Sequence, residues 1–212
     1  MKRAGADRLL RVAAWLLSAL TAILPIGAAA ASPLLGGREW LWITGGMAGV
    51  VALSLLAVQP LLVAAAPALL APKAGVTWHR VGGIAIMAMV ALHIGALYAY
   101  SPDDVTDILL LSAPTSFSIY GVIGLWCLIL TALLTAVRRI YRLSYTAWRI
   151  AHSVLAVLLV GASVIHTIQI EGAMEAYSKL AICIVAMALT TAGVLEVNVL
   201  SRLRRRRKLR TA

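Results

Sequence analysis

Apolar residues fill six long stretches of this chain, and polar residues, glycine or proline separate each stretch from the next. The stretches cover residues of about 9–31, 41–66, 78–100, 118–137, 149–170 and 176–200. A helix needs about 20 mostly apolar residues to cross the ~30 Å hydrocarbon core of a membrane. Each stretch is long enough, so the pattern predicts an all-α integral membrane protein built as a six-helix transmembrane bundle.

The composition agrees with that architecture and narrows the function. Hydrophobic residues make up 62% of the 212 residues and charged residues 13%, which is about half the charged share of a soluble domain. Six spans use nearly the whole apolar inventory, and no stretch remains for a soluble catalytic or nucleotide-binding module of about 100 residues. We therefore expect the chain to act within the bilayer or at its two faces.

Basic residues are distributed unevenly among the connections. The net charge is +11, and all of the 19 Lys and Arg residues except Arg38 and Lys179 lie at the termini or flank the second-to-third and fourth-to-fifth connections. Since Lys and Arg are retained on the cytoplasmic side during insertion, both termini are predicted to be cytoplasmic, in a bacterial-type plasma membrane. The charge indicates topology and an attraction for anionic lipid or an acidic partner, and not nucleic-acid binding.

The first stretch permits a second interpretation. Lys2 and Arg3, the apolar run from Val12, and the small residues from Ala28 to Ser32 are also typical of a secretory signal peptide with its cleavage site. We favour an uncleaved first helix. Cleavage would leave five spans and place the new N-terminus outside.

The four histidines carry the most specific signal. His79 and His93 lie on the third span, His152 and His166 on the fifth, and each pair is separated by 14 residues. Fourteen steps of 100° return to within about 40° of the same helix face after ~21 Å of rise. Because both spans cross in the same direction, we expect His79 to be level with His152 near the inner face, and His93 to be level with His166 near the outer face.

Two imidazoles at each of two depths fit the axial ligands of a porphyrin iron in type and in number. A zinc site needs three or four converging ligands, and no Cys, Asp or Glu lies at those levels within the spans. The chain has no C-x-x-C-H motif, which excludes covalent heme attachment by that motif. Two alternatives remain: one heme with two spare histidines, or histidines that bond helices to one another.

Short motifs surround these histidines: W-H-R-V-G-G at residues 78–83, A-L-H ending at His93, Y-R-L-S-Y-T-A-W-R-I-A-H from Tyr141 to His152, and V-I-H ending at His166. Over residues of about 40–200 the chain resembles the ferric reductase-like transmembrane domain superfamily. That superfamily includes NADPH oxidases, ferric-chelate reductases and the heme-binding membrane subunit of the periplasmic methionine sulfoxide reductase system. The resemblance implies two stacked b-type hemes between helices three and five, with His79 and His152 on the inner iron and His93 and His166 on the outer iron.

The resemblance also implies transmembrane electron transfer. Oxidases and iron reductases of the family usually continue into flavin and nicotinamide domains, whereas here a basic tail follows the sixth span. We therefore expect electrons to come from a cytosolic flavin or NAD(P)H reductase, with FAD or FMN on that partner or weakly bound. The expected acceptor is ferric iron, oxygen or a periplasmic oxidoreductase. The predicted domains are a first helix with its outer loop (1–40), the heme domain (41–200) and the tail (201–212).

Three further residues are expected beside the cofactors. Arg80 and Arg149 lie at the inner level and are candidates to pair with heme propionates, although anchoring at the membrane surface explains them equally well. Gly83 lies one turn after His79, where a missing side chain leaves space for a macrocycle. Helix packing explains Gly83 nearly as well.

An apolar layer is expected between the two heme levels. Ile86 and Leu159 lie midway between the histidines of their spans, and Trp126, in the middle of the fourth span, is expected to face the same layer. In the outer loop, Ser101 followed by Pro102 predicts the start of a short helix that roofs the outer heme.

Two other functions are compatible with the sequence. One is a quinol-linked cytochrome b subunit that anchors a larger dehydrogenase. The other is a proton channel or small transporter in which the membrane histidines act as a relay.

Overall fold

The protein is described by a computed structural model that covers residues 2–64, 72–138, 140–200 and 203. For residues 2–11, 14, 64, 72 and 73 the description is limited to the backbone. The predicted basic tail, apart from Leu203, lies outside the described residues.

Seven α-helices account for most of the described residues. They are α1 (Lys2–Ala30), α2 (Trp40–Ala64), α3 (Pro72–Tyr100), α4 (Pro102–Leu109), α5 (Ser116–Val137), α6 (Tyr145–Gln169) and α7 (Ala176–Leu195). A 3₁₀ turn at Pro33–Leu35 follows α1, and a π-helical turn at Glu196–Leu200 extends α7. The prediction of an all-helical protein is confirmed.

Five of these helices are long and apolar enough to cross a membrane. Their apolar segments are Trp40–Val63, Ala74–Tyr100, Ser116–Val137, Tyr145–Gln169 and Ala176–Leu200, which coincide with the second to sixth predicted spans. The first predicted span falls on α1, whose apolar part within the searched residues, Trp15–Ala30, is shorter than a span. The multi-pass architecture agrees with the prediction, whereas the count of six spans and the three-part division into domains stay predictions.

Helix α1 belongs to the helical core. It packs against α2 and α7, and Ala29 near its end is fully buried in a cluster with Leu53 of α2 and Ala186 of α7. Small residues such as these let helix backbones approach closely, which is the main source of packing energy between helices in lipid.

The two histidine-bearing helices are held by different neighbours. Helix α3 packs chiefly on α2, and helix α6 packs chiefly on α5 and secondarily on α7. Residues of all four of these helices, α2, α3, α5 and α6, line one cavity. The histidine-bearing faces of α3 and α6 therefore border a shared space, and α2 and α5 help to enclose it.

Local capping sets where α6 begins. The Ser144 hydroxyl accepts a hydrogen bond from the Ala147 N–H at 3.2 Å, and a serine in this position stabilises a helix start by about 1 kcal/mol. Arg142, two residues earlier, has a left-handed backbone with φ of 47°, which turns the chain into the cap. Because α6 begins at Tyr145, His152 lies about two turns after its start, and His166 lies in its last turn.

The predicted short helix in the outer loop is present as α4. It begins at Pro102 after the N-cap Ser101, and the Ser101 hydroxyl donates to the Asp104 carboxylate at 2.6 Å. Val105 is buried, while Asp103 and Asp104 are exposed. The helix therefore turns an apolar side toward the bundle and an acidic side outward.

Candidate functional site

Tertiary packing brings the four histidines together as two pairs. The ring centroids of His79 and His152 lie 6.0 Å apart, and those of His93 and His166 lie 6.5 Å apart. In each pair one ring comes from α3 and the other from α6. These are the pairs that the 14-residue spacing predicts, and they are named below the 79/152 pair and the 93/166 pair.

The spacing within each pair suits two imidazoles on opposite sides of one metal ion. Metal–nitrogen bonds of about 2.0–2.1 Å to two such rings place their centroids about 6.3 Å apart. Among the described residues, no group of three or more His, Cys, Asp and Glu side chains is arranged to hold an ion. Each pair therefore fits an ion whose other ligands belong to a macrocycle, as in heme.

Backbone carbonyls of neighbouring helices hold both rings of the 93/166 pair. His93 Nδ1 donates to the Gly45 carbonyl of α2 at 2.7 Å, and His166 Nδ1 donates to the Phe117 carbonyl of α5 at 3.0 Å. A carbonyl oxygen only accepts, so Nδ1 carries the proton and Nε2 keeps its lone pair. This is the tautomer that a metal ligand needs, and the hydrogen bond raises the basicity of the ring.

Two glycines provide the space for these rings. A Cβ at Gly49 would lie 3.0 Å from His93 Nδ1, and a Cβ at Gly121 would lie 3.0 Å from His166 Nδ1. Each glycine follows the accepting carbonyl by four residues, which is about one helical turn. The missing side chain therefore lets the ring reach the carbonyl one turn earlier.

Sequence reasoning did not find this role. The four-residue spacing between Gly45 and Gly49 was the available signal, but the sequence does not show that His93 lies against that face of α2.

The 79/152 pair is held by a side chain as well as by backbone. His79 Nδ1 lies 3.3 Å from the backbone carbonyl of Gln59, and a terminal atom of the Gln59 amide lies 2.6 Å from the same nitrogen. Gln59 is buried, and it fills the space beside Gly82. With the amide oxygen toward Nδ1, His79 presents an unprotonated Nε2, whereas the amide nitrogen there would impose the opposite tautomer. Sequence reasoning missed Gln59, although a glutamine within an apolar span is itself a signal.

Buried polar atoms near the start of α6 lack partners. Trp148 Nε1, Arg149 Nε and His152 Nδ1 have no hydrogen-bond partner within the part of the chain that the structure describes. The Trp148 ring stacks on the His152 ring with centroids 5.3 Å apart, and the Arg149 guanidinium lies 5.5 Å from the Tyr145 ring centroid. Tryptophan and arginine can only donate, and buried donors without acceptors are costly. They indicate a group with acceptor oxygens, such as the carboxylates of a macrocycle, beside the 79/152 pair.

A cavity lies at the 93/166 pair, and both rings line it. Its volume is about 240 Å³, just below the about 300–1,000 Å³ that pockets for small organic ligands typically measure. Val105, Ile108 and Leu109 of α4 form part of its wall. Helix α4 therefore forms part of the cavity wall, on the side predicted for the short helix after Ser101.

An apolar layer separates the two pairs. Ile86 of α3 and Leu159 of α6 are only 3% and 8% exposed, and they form a buried cluster with Cys127 and Leu128 of α5. Ile86 and Leu159 therefore lie, as expected, in a buried apolar cluster between the two pairs. Apolar side chains at this position disfavour water and ions there.

The remaining predicted site residues differ in their positions. Gly83 borders open space, because a Cβ there would meet no atom within 4 Å, while Arg80 is exposed. Trp126 is 57% exposed and does not line the cavity. The expectation that Trp126 faces the apolar layer is wrong, because α5 turns Leu125 and Leu128 toward the cavity and the helical period turns Trp126 away.

Comparison with known proteins gives one match. Residues 48–163, just over half of the chain, match the family described as ferric reductase like transmembrane component. The matched segment contains His79, His93, His152 and both ring-side glycines, and it ends three residues before His166. No curated protein and no solved structure matches the chain.

Proposed function

Because the chain belongs to the ferric reductase-like transmembrane component family, we propose that it transfers electrons across a membrane by means of two b-type hemes, one at each histidine pair. The observation that carries this proposal is the spacing of the rings, 6.0 Å and 6.5 Å between centroids, which suits two axial imidazoles. Bound hemes would supply a one-electron carrier at each of two depths in the bilayer.

In this proposal the histidines hold the heme irons and limit direct access of oxygen or another acceptor to the metal. His79 and His152 would hold one heme iron, and His93 and His166 would hold the other. With two imidazoles at each iron, a bound heme would supply electron transfer without direct binding of oxygen to the metal. The hydrogen bonds from His93 and His166 to backbone carbonyls fix both rings for this task.

The apolar layer keeps the two levels apart. In this proposal the buried apolar side chains of Ile86, Leu159 and Leu128 lie between the two levels and would hinder the passage of water and ions alongside the electrons. The same layer argues against a proton relay, which needs polar groups or water between successive histidines.

The residues at the start of α6 are proposed to bind the carboxylates of the cofactor at the 79/152 pair. Arg149 and Trp148 offer buried donors without acceptors, and Arg80 is a candidate for an additional, more exposed contact. A carboxylate at this position would satisfy both buried donors at once.

We expect the Arg149→Gln variant to bind the cofactor of the 79/152 pair at least about tenfold more weakly, because a hydrogen bond to a charged group contributes about 1.5–3 kcal/mol. Heme titration of the heme-depleted protein measures this affinity. Arg142→Gln removes the same charge from an exposed position two residues before the cap and serves as the control. Equal affinities in the two variants would show that Arg149 acts only as a surface charge.

The partners follow from the proposed orientation. With the termini in the cytoplasm of a bacterial-type cell, the 79/152 pair faces a cytosolic flavin or NAD(P)H reductase, which donates the electrons. Arg80, Arg138 and Arg149 give this face a positive charge suited to an acidic partner. The 93/166 pair faces an extracytoplasmic acceptor, for which ferric iron, oxygen and a periplasmic oxidoreductase are the candidates.

A reduced-minus-oxidised visible spectrum of the purified protein tests the proposal. We expect the bands of six-coordinate b-type heme, with two irons per chain by metal analysis. A spectrum without heme bands would exclude the proposal and leave the histidine relay, whereas reduction by quinol together with co-purifying catalytic subunits would identify a quinol-linked cytochrome. Reoxidation of the reduced protein by each candidate acceptor then identifies the physiological one.

A further inference from the structure

Lys179 lies in the wall of the cavity at the 93/166 pair. Its ammonium group donates to the Ile170 carbonyl at 2.7 Å, and the Ile170 N–H donates in turn to the His166 carbonyl at 3.1 Å. Ile170 is the C-cap residue that follows α6, where the chain turns toward α7. These contacts hold the charge of Lys179 about one helical turn beyond a ligand histidine.

Within the described part of the chain, no carboxylate lines the cavity beside this ammonium group. Among the described residues that line the cavity, Lys179 carries the one permanently charged side chain. An ammonium has three donors, and the Ile170 carbonyl satisfies one of them. A cation beside an apolar cavity within a membrane is costly unless an anion pairs with it. The cavity is therefore complementary to a ligand that is apolar over most of its surface and anionic at one edge.

We propose that Lys179 binds a carboxylate of the macrocycle held by the 93/166 pair and thereby orients it. This inference rests on the proposed function, since it requires a macrocycle with carboxylates in the cavity. Lys179 comes from α7 at one end of the bundle, while Arg149 and Trp148 stand at the opposite end of α6. The residues proposed to bind carboxylates at the two pairs therefore lie toward opposite ends of the bundle.

The positive charge has a second consequence for the same cofactor. An ammonium near the iron disfavours the oxidised state, which carries one more positive charge than the reduced state. Lys179 is thus a positioning residue that also makes this centre easier to reduce.

A redox titration of the full-length protein in detergent, followed by visible absorbance, tests the inference. In Lys179→Gln we expect the equilibrium constant for reduction at the 93/166 pair to fall about tenfold, a shift of about 59 mV to lower potential for a one-electron couple. The centre at the 79/152 pair, about 20 Å away along the helices, should keep its potential. Lys179→Arg, which retains the charge, should restore the wild-type potential.

Arg38→Gln is the matched control, because Arg38 is the other basic residue predicted on this side and its guanidinium stacks over Trp42 outside the cavity. Selective loss of the cofactor at the 93/166 pair in Lys179→Gln, with rescue by Lys179→Arg, would also support the inference. An unchanged potential in Lys179→Gln would overturn it while leaving two hemes and the proposed function intact. An equal shift in Arg38→Gln would overturn it as a general surface-charge effect. A wild-type protein without heme would overturn the proposed function and this inference together.

Discussion

Replacement of His93 or His166 by alanine is expected to remove one of the two hemes and to retain the other. In the proposed function each ring of the 93/166 pair is a ligand of the iron, and even the loss of a residue that only supports a ligand typically weakens metal binding about 10–100-fold. Alanine preserves the helix, since it has the highest helix propensity. The 79/152 pair is separated from the altered position by the buried layer of Ile86 and Leu159. Heme content should therefore fall from two per chain to one.

Pyridine hemochrome analysis of the purified variants measures this loss, and a redox titration shows which of the two potentials disappears. His79→Ala and His152→Ala should remove the other potential, so the four variants sort into two classes. Trp126→Phe is the control, because Trp126 is an exposed aromatic in the middle of α5 and does not line the cavity. Two full hemes in both His93→Ala and His166→Ala would refute the assignment of this pair as axial ligands.

The Gly49→Ala and Gly121→Ala variants are expected to weaken the same heme without altering any ligand. An added Cβ would lie 3.0 Å from the Nδ1 atom of His93 or His166, which is too close for the ring to keep its position. The ring must move away from the Gly45 or Phe117 carbonyl that orients it. We expect about 10–100-fold weaker heme binding at the 93/166 pair, the range for loss of a group that orients a ligand.

Gly95→Ala and Gly161→Ala are the matched controls for this experiment. Both glycines lie on the histidine-bearing helices, and a Cβ at either position would meet no atom within 4 Å. These variants should bind heme normally and gain stability of up to about 1 kcal/mol each from helix propensity. Heme titration compares all four proteins. Wild-type affinity and an unshifted spectrum in Gly49→Ala would contradict the proposed role of the glycine.

Much of the fold was predictable because membrane spans depend on a local property. About 20 consecutive apolar residues suffice to define a span, so the second to sixth spans were found with bounds close to those of α2, α3, α5, α6 and α7. The N-terminal span is harder to assign from sequence, because a short apolar helix with basic residues before it is compatible with both a signal peptide and a membrane helix.

The histidine pairs were predictable for a related reason. A spacing of 14 residues places two side chains on one face of any α-helix, and two parallel helices with the same spacing bring their residues to the same two depths. Ile86 and Leu159 followed from the same geometry, because they are the midpoints. These inferences concern depth along the helix axis. They therefore do not depend on how one helix is rotated about its axis relative to another.

The prediction for Trp126 failed because it does need that rotation. A membrane helix such as α5 is apolar on every side, since lipid and protein core both favour apolar residues. Hydrophobic periodicity therefore does not show which face points inward. Leu125 lines the cavity and Trp126, the next residue, faces outward, a difference of 100° that the sequence pattern does not record.

The sequence by itself determined a helical membrane protein, its spans and two histidine pairs at two depths, because helix length and helix period are properties of one segment at a time. Only the tertiary structure decided which groups surround those pairs: the carbonyls of Gly45 and Phe117, the glycines that expose them, Gln59 beside His79, and Lys179 in the cavity wall. Each of these contacts joins residues of different helices. Their existence depends on how the helices rotate and cross, and that arrangement is set by packing over the whole bundle.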